Sequence, residues 1–271
     1  MMACMTDRLE LIDAHCHLCH GRLRQQLAAV LDRARAAGVT RMICAAGTVA
    51  ESKAALALAR QHGHVWCTAG VHPHDAKDAG EDDLAAIEHL AADPRNVAVG
   101  EIGLDYHYDF SPRDDQRRVF AEQLQLAKRL GKPIVVHTRE AFDETMAILR
   151  ETGVDTARVV FHCCTEGAAN VRRALDVGAA VSFSGIVTFK NTGPLREAAA
   201  LVPDERLLIE TDAPFCSPEP LRKVRTNEPA HVAHVAACLA TVRKTTPEAL
   251  ARTTAANAVR LFGLSEASGL G

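Results

Sequence analysis

Six residues of metal-ligand type stand at the ends of five short apolar runs in this chain. They are His15 and His17 in LIDAHCH, Glu101 in VAVGEIGLD, His137 in PIVVHT, His162 in VVFHCC and Asp212 in LLIETDAP. Short runs rich in Val and Ile, with flanking turn residues, read as buried strands. Strands that repeatedly finish in such side chains imply a parallel sheet with an active site along its C-terminal edge. Core packing explains one residue of this kind, not six.

The pattern extends along the chain. Eight β-rich runs are predicted: Leu9–His15, Val39–Ala45, Val65–Gly70, Val97–Ile102, Pro133–His137, Arg158–His162, Ala179–Ser184 and Arg206–Thr211. The segments between them are helical in pattern: Leu23–Ala37, Ser52–His62, Asp82–Ala92, Ser111 to Gly131, Phe142–Arg150, Gly167–Val177 and Pro194–Leu201. Ala230–Arg243 and Pro247–Phe262 add two helices at the end. The clearest helix has Ser111 as its expected cap, Pro112 in the first position and acidic residues in the first turn. Phe120, Leu124, Ala127 and Leu130 form its apolar stripe. Eight strands alternating with helices over about 250 residues predict an α/β fold, a (β/α)8 TIM barrel, with its metal site at the C-terminal strand ends. No linker divides the chain, so residues 1–271 are expected to form a single domain. An open doubly wound sheet would need a phosphate loop or dinucleotide fingerprint, and neither is present.

Composition limits the function classes. The chain is 48% hydrophobic, enough for a substantial core, and its net charge of −3 gives no basic footprint for wrapping a duplex. Aromatics make up 4%, leaving few platforms for stacked bases. No run is long and apolar enough to span a membrane, and MMACMTDRLE lacks the apolar stretch of a signal peptide, so a cytoplasmic protein without a membrane partner is expected. Nine cysteines then read as free thiols. Cys16-His17-Leu18-Cys19-His20 matches the haem-attachment pattern, but that use expects an exported chain, and no haem is expected. Cys163 and Cys164 read as packing residues beside His162.

Positions two apart on a strand point the same way, so His15 and His17 can share one cation. Four imidazoles and two carboxylates are too many donors for one tetrahedral zinc with an open position. They suit two divalent cations sharing Glu101, whose strand lies midway around the ring. Such a pair clamps both oxygens of a displacement and activates water. Asp212 is the expected general base. Imidazole and carboxylate together admit Zn, Mn, Fe or Co, and Mg less readily.

Several motifs in order now resemble a known family. They are DAHCHL (Asp13–Leu18), GVHPH (Gly70–His74), GEIGLDYH (Gly100–His107), the Gln116–Ala127 helix, KPIVVHTREA (Lys132–Ala141), HCCTEG (His162–Gly167), SFSGIVTFKN (Ser182–Asn191), LLIETDAPF (Leu207–Phe215) and NEPAHV (Asn227–Val232). The chain resembles TatD-type metal-dependent deoxyribonucleases of the amidohydrolase superfamily along essentially its whole length. The resemblance implies the same six ligands, His15, His17, Glu101, His137, His162 and Asp212. It implies metal-dependent phosphodiester hydrolysis acting on nucleic-acid ends, DNA from the 3′ end first, with cleavage of aminoacyl-tRNA esters as the alternative. Two departures stand out. The stretch Leu221–Thr226 lacks the Gly of the usual Arg-Gly-Lys-like turn, and HCC replaces HCF.

His72 and Arg139 are the expected substrate contacts, the first lining the pocket as in the family, the second holding a phosphate bidentately. For His72, and for His74 that follows it, a structural turn around Pro73 is the alternative. Pairing of Arg139 with Glu140 or Asp143 is the competing reading. Asp105 is read as orienting a ligand histidine or capping a turn. Tyr106, His107 and Tyr108 read as a packed loop, with stacking on a base as the alternative; Lys190, Asn191 and Arg222 as surface residues or phosphate contacts; His20, His62, His64, His89, His231 and His234 as surface or core. A non-enzymatic barrel would be expected to have lost ligands, and all six are present.

Overall fold

Eight parallel strands follow one another around a single sheet in chain order. They are β1 (Leu11–Cys16), β2 (Val39–Cys44), β3 (Val65–Ala69), β4 (Asn96–Asp105), β5 (Ile134–Arg139), β6 (Val159–Phe161), β7 (Ala180–Phe183) and β8 (Leu207–Ile209). This computed structural model describes residues 9–264, so both ends of the expected 1–271 domain lie outside the described residues. The ring closes between its first and last strands. A parallel bridge joins Cys16 to Ala213, His17 N donates to Ala213 O (2.7 Å), and Asp212 N donates to His15 O (2.9 Å). The architecture is the expected (β/α)8 barrel.

The helices are α1 (Gly21–Arg24), α2 (Leu27–Ala36), α3 (Val49–Gln61), α4 (Glu81–Ala91), α5 (Arg113–Leu130), α6 (Phe142–Thr152), α7 (Ala168–Asp176), α8 (Gly193–Leu201), α9 (Val232–Val242) and α10 (Pro247–Phe262). The helix expected over Leu23–Ala37 is therefore broken in two near Gln26, whose backbone is not helical. The expected Ser111 cap is also corrected. Helix α5 starts at Arg113, and the Ser111 hydroxyl instead donates to His74 O (2.7 Å) and accepts from Lys77 N (3.1 Å). That serine ties the loop after β3 to the loop after β4.

Two apolar layers follow from strand alternation. Ile12, Ile43, Trp66, Val135, Val160 and Leu208 belong to one cluster with members from every strand, which only a barrel interior allows. Ala255, Ala258 and Phe262 of α10 join it, and Asn257 Nδ2 donates to Leu207 O (2.9 Å) at the start of β8. Helix α10 thus plugs the barrel away from the C-terminal strand ends. The larger cluster lies between strands and helices.

Candidate active site

Strand β4 continues to Asp105, beyond the expected Ile102, so Glu101 lies within the strand. Gly103, paired with His137, permits this extension: its φ is +145°, and a Cβ there would collide with the His137 carbonyl. The β4 backbone can therefore press against β5, bringing Glu101 and His137 together. Buried Gln116 and Gln123 of α5 hold the neighbouring loops. Gln116 pairs with both backbone groups of Asp105 (2.8 and 3.1 Å), and Gln123 with both of Val71 (2.7 and 3.0 Å).

Glu101 is the centre. Its Oε2 lies 3.3 Å from His15 Nε2 and 3.6 Å from His17 Nε2. Asp212 Oδ1 lies 3.9 and 3.4 Å from the same two nitrogens, which are 3.3 Å apart. Ligands about 2.1 Å from a tetrahedral cation stand about 3.4 Å from one another. The spacing of these atoms fits that set. On the other side, Glu101 Oε1 meets His162 Nε2 (2.8 Å), His137 Nδ1 (3.1 Å) and His72 Nε2 (3.3 Å). All six residues singled out as ligands converge.

Carboxylates behind the histidines fix which nitrogen faces Glu101. Asp105 Oδ2 accepts from His137 Nε2 (3.0 Å) and His74 Nε2 (2.9 Å), leaving His137 Nδ1 inward. Glu210 Oε1 accepts from His162 Nδ1 (3.2 Å) and from Cys163 N (2.7 Å), leaving Nε2 inward. Asp13 accepts from Thr211 N (2.9 Å), Thr211 Oγ1 (2.6 Å) and His15 N (3.3 Å), locking β1 to the segment that carries Asp212. Glu210 and Asp13 went unread in the sequence. Each stands two residues before a singled-out ligand, Asp212 or His15, and the alternation that paired His15 with His17 would have found both.

Electrostatics favour a cation here. Burial works to raise the Glu101 pKa, but His162, His72, His137 and His15 hold it well below the usual range. Burial works to lower the His162 pKa, and Glu101 and Glu210 raise it well above the ordinary value. His137 is raised against burial by Asp105 and Glu101. Burial works to raise the Asp212 pKa, and the neighbouring His17 brings it below its usual value. Burial pushes Asp13 up to about 8, against the bonds from Thr211. Buried negative charge on this scale calls for compensating positive charge, as protons or as metal.

His72 differs from the other histidines. Its Nδ1 accepts from His74 N (3.1 Å), so the neutral ring carries its proton on Nε2. Burial, the largest influence, lowers its pKa to about 4. In that tautomer Nε2 is a donor, and the ring stands on the cleft lining beside Glu101 and His137, a trio whose ligand atoms lie within 4.8 Å of one another. A cleft of about 660 Å³ opens above the cluster and includes Arg139, Tyr108 and Phe215 on its lining. Arg139 makes no salt bridge to Glu140 or Asp143 among the described residues; its guanidinium lies over the Tyr108 ring, 4.7 Å from the centroid.

Three expectations need correction. Tyr108 is 48% exposed and lines the cleft instead of packing in its loop, because the loop turns on Asp105 Oδ1, which accepts from His107 N and Tyr108 N (3.0 Å each). His20 also lines the cleft, its ring edge-on to Phe215 at 5.5 Å. Cys163 faces the cleft with a φ of +42°, whereas Cys164 is buried as a packing residue. Tyr106 packs as expected, its hydroxyl donating to Glu144 (2.5 Å). Lys190, Asn191 and Arg222 are exposed; Arg222 stacks on Phe189 at 3.3 Å.

The profile of the family described as TatD related DNase matches residues 12–263. A Bacillus subtilis relative, the uncharacterized metal-dependent hydrolase YabD, is 39% identical over 255 residues, 94% of this chain and all of its own. The Erwinia amylovora 3′-5′ ssDNA/RNA exonuclease TatD is 39% identical over 240 residues, 87% of this chain and 93% of its own. The crystal structure of YJJV, a TatD homolog from Escherichia coli K12, matches with a TM-score of 0.89 at 28% identity, covering 95% of this chain and 99% of that one. Sequence, barrel and relatives agree: the chain belongs to the TatD-related DNase family and is a metal-dependent hydrolase.

Proposed function

We propose that this protein is a nuclease that removes nucleotides from single-stranded ends, DNA first, using two divalent cations. His15, His17 and Asp212 would hold one cation, His137 and His162 the other, and Glu101 both. Bound divalent cations supply Lewis-acid polarisation of a phosphoryl group and a water pKa lowered to about 7. Asp212, kept ionised beside His17, is the base that takes the attacking water's proton. His72 Nε2–H and the Arg139 guanidinium donate to non-bridging phosphate oxygens.

The observation that carries the substrate class is the mouth of the cleft. Its volume is within the range of small-ligand sites, about 300–1,000 Å³, which suits a strand end and not a duplex. Tyr108 (48% exposed), Phe110 (56%) and Phe215 (44%) are large apolar side chains left open near it. Tyr108 and Phe110 stack at 5.3 Å, giving a platform for bases. The name of the Erwinia relative supports the same substrate.

The test is hydrolysis of labelled single-stranded DNA, duplex DNA, RNA and aminoacyl-tRNA across a panel of divalent metals. Single-stranded DNA should be shortened from its 3′ end, and chelation should stop the reaction. Arg139→Ala should raise KM for DNA more than it alters hydrolysis of a small activated phosphodiester. The salt slope of binding should correspond to about two to four neutralised phosphates. Faster cleavage of aminoacyl-tRNA than of any polynucleotide would overturn the reading.

A further inference from the structure

Asp212 has two oxygens with different surroundings. Oδ1 faces His15 and His17; Oδ2 accepts from Cys216 Sγ at 3.4 Å. Cys163 completes the second setting: its Sγ, that of Cys216 and an Asp212 oxygen all lie within 4.8 Å of one another. Three loops build this triangle. Cys163 follows β6 and Asp212 and Cys216 follow β8, while the loop after β7 brings Ser184 Oγ to 3.1 Å from Cys163 Sγ. A side chain at Gly185 would collide with the Cys216 carbonyl, so that loop packs tightly against the pair.

All three residues have left-handed backbone: φ is +42° at Cys163, +54° at Asp212 and +54° at Cys216. Such conformations are uncommon for side chains of this kind, and here they turn three ligand-type groups to one point. We propose that Cys163, Cys216 and Asp212 form a third cation site, selective for a thiophilic ion such as Zn²⁺. Zinc bound through sulfur and oxygen separates those atoms by about 3.5 Å, close to the 3.4 Å found between Cys216 and Asp212. Thiolates favour zinc and related soft ions over magnesium or manganese. Each thiol releases its proton to solvent on ligation.

Occupancy would occupy the carboxylate that the proposed mechanism uses as base, so the site inhibits. That consequence rests on the proposed role of Asp212; the binding itself does not. A second close thiol pair, Cys19 and Cys44 with sulfurs 4.0 Å apart, belongs to no three-ligand cluster among the described residues and serves as a control.

The experiment uses the full-length chain, kept reduced, stripped with chelator and reloaded with Co²⁺. Histidine and carboxylate ligands produce no thiolate-to-cobalt charge-transfer absorption, so that near-ultraviolet band reports sulfur ligation alone. The band should appear in the parent protein and in Cys19→Ser, and vanish in Cys216→Ser and Cys163→Ser. In parallel, saturating Zn²⁺ should slow DNA hydrolysis by about 100-fold in the parent protein and leave Cys216→Ser uninhibited. Absence of the band in the parent protein, or its persistence in Cys216→Ser, would overturn the site whatever the substrate proves to be.

Discussion

The two halves of the site are held by different means. In the half on β5 and β6, side chains orient side chains: Asp105 fixes His137 and Glu210 fixes His162. In the half at the β1–β8 seam, backbone closure does that work. His17 N and His15 O bond to Ala213 and Asp212, and Asp13 clasps Thr211. His15 Nδ1 has no partner among the described residues. One half should therefore depend on carboxylates behind its ligands, the other on the integrity of the barrel seam. The lesson is that similar donor sets can be pre-organised by quite different parts of a fold.

That contrast can be broken at several strengths. If two cations bind as proposed, Glu101→Gln touches both halves and should have the largest effect, a fall in kcat/KM of about 10⁴-fold or more with loss of metal from both. Retention of two metals with ordinary turnover would remove Glu101 from its shared role. Asp212→Asn comes next. Turnover should drop by about 10²–10⁴-fold while metal stays on the β5–β6 side, as read by metal analysis beside steady-state rates.

Glu210→Gln and Asp105→Asn should each weaken one metal by about 10–100-fold and leave the seam metal in place. Calorimetric titration that found both metals weakened alike would erase the distinction. Thr211→Val should have the smallest effect on chemistry but act on the seam. Removing the hydroxyl that donates to Asp13 should cost about 1–3 kcal/mol in a urea melt, with the seam metal loosened before its neighbour. A fully stable variant that loses the β5–β6 metal first would reverse the comparison.

Much of this was legible in order along the chain. Strand runs, capping residues and ligand-type residues at run ends are local signals; His15, His17, His137 and His162 all reach Glu101, and Asp212 lies against His15 and His17. Boundaries were less legible. Strand β4 runs past Ile102 because Gly103 lets it lie against β5, a contact that pairing alone creates. Ser111 read as a helix cap because the short-range pattern suits one; its hydroxyl instead joins the loop after β3. Tyr108 read as packed, since nothing in the neighbouring residues tells which side of a loop faces a cleft.

By itself the sequence determined the element order, the alternation that buries one face of each strand, and the residue types gathered at the strand ends. Those depend on side-chain period and local backbone preference, which are properties of neighbours. Only the closed barrel decided that Asp13 would bond across 198 positions to Thr211, that Glu210 would stand behind His162, and that Cys163 and Cys216 would meet over one oxygen of Asp212. Each of those contacts joins the ends of different strands, and their distances exist only once β8 has come round to β1.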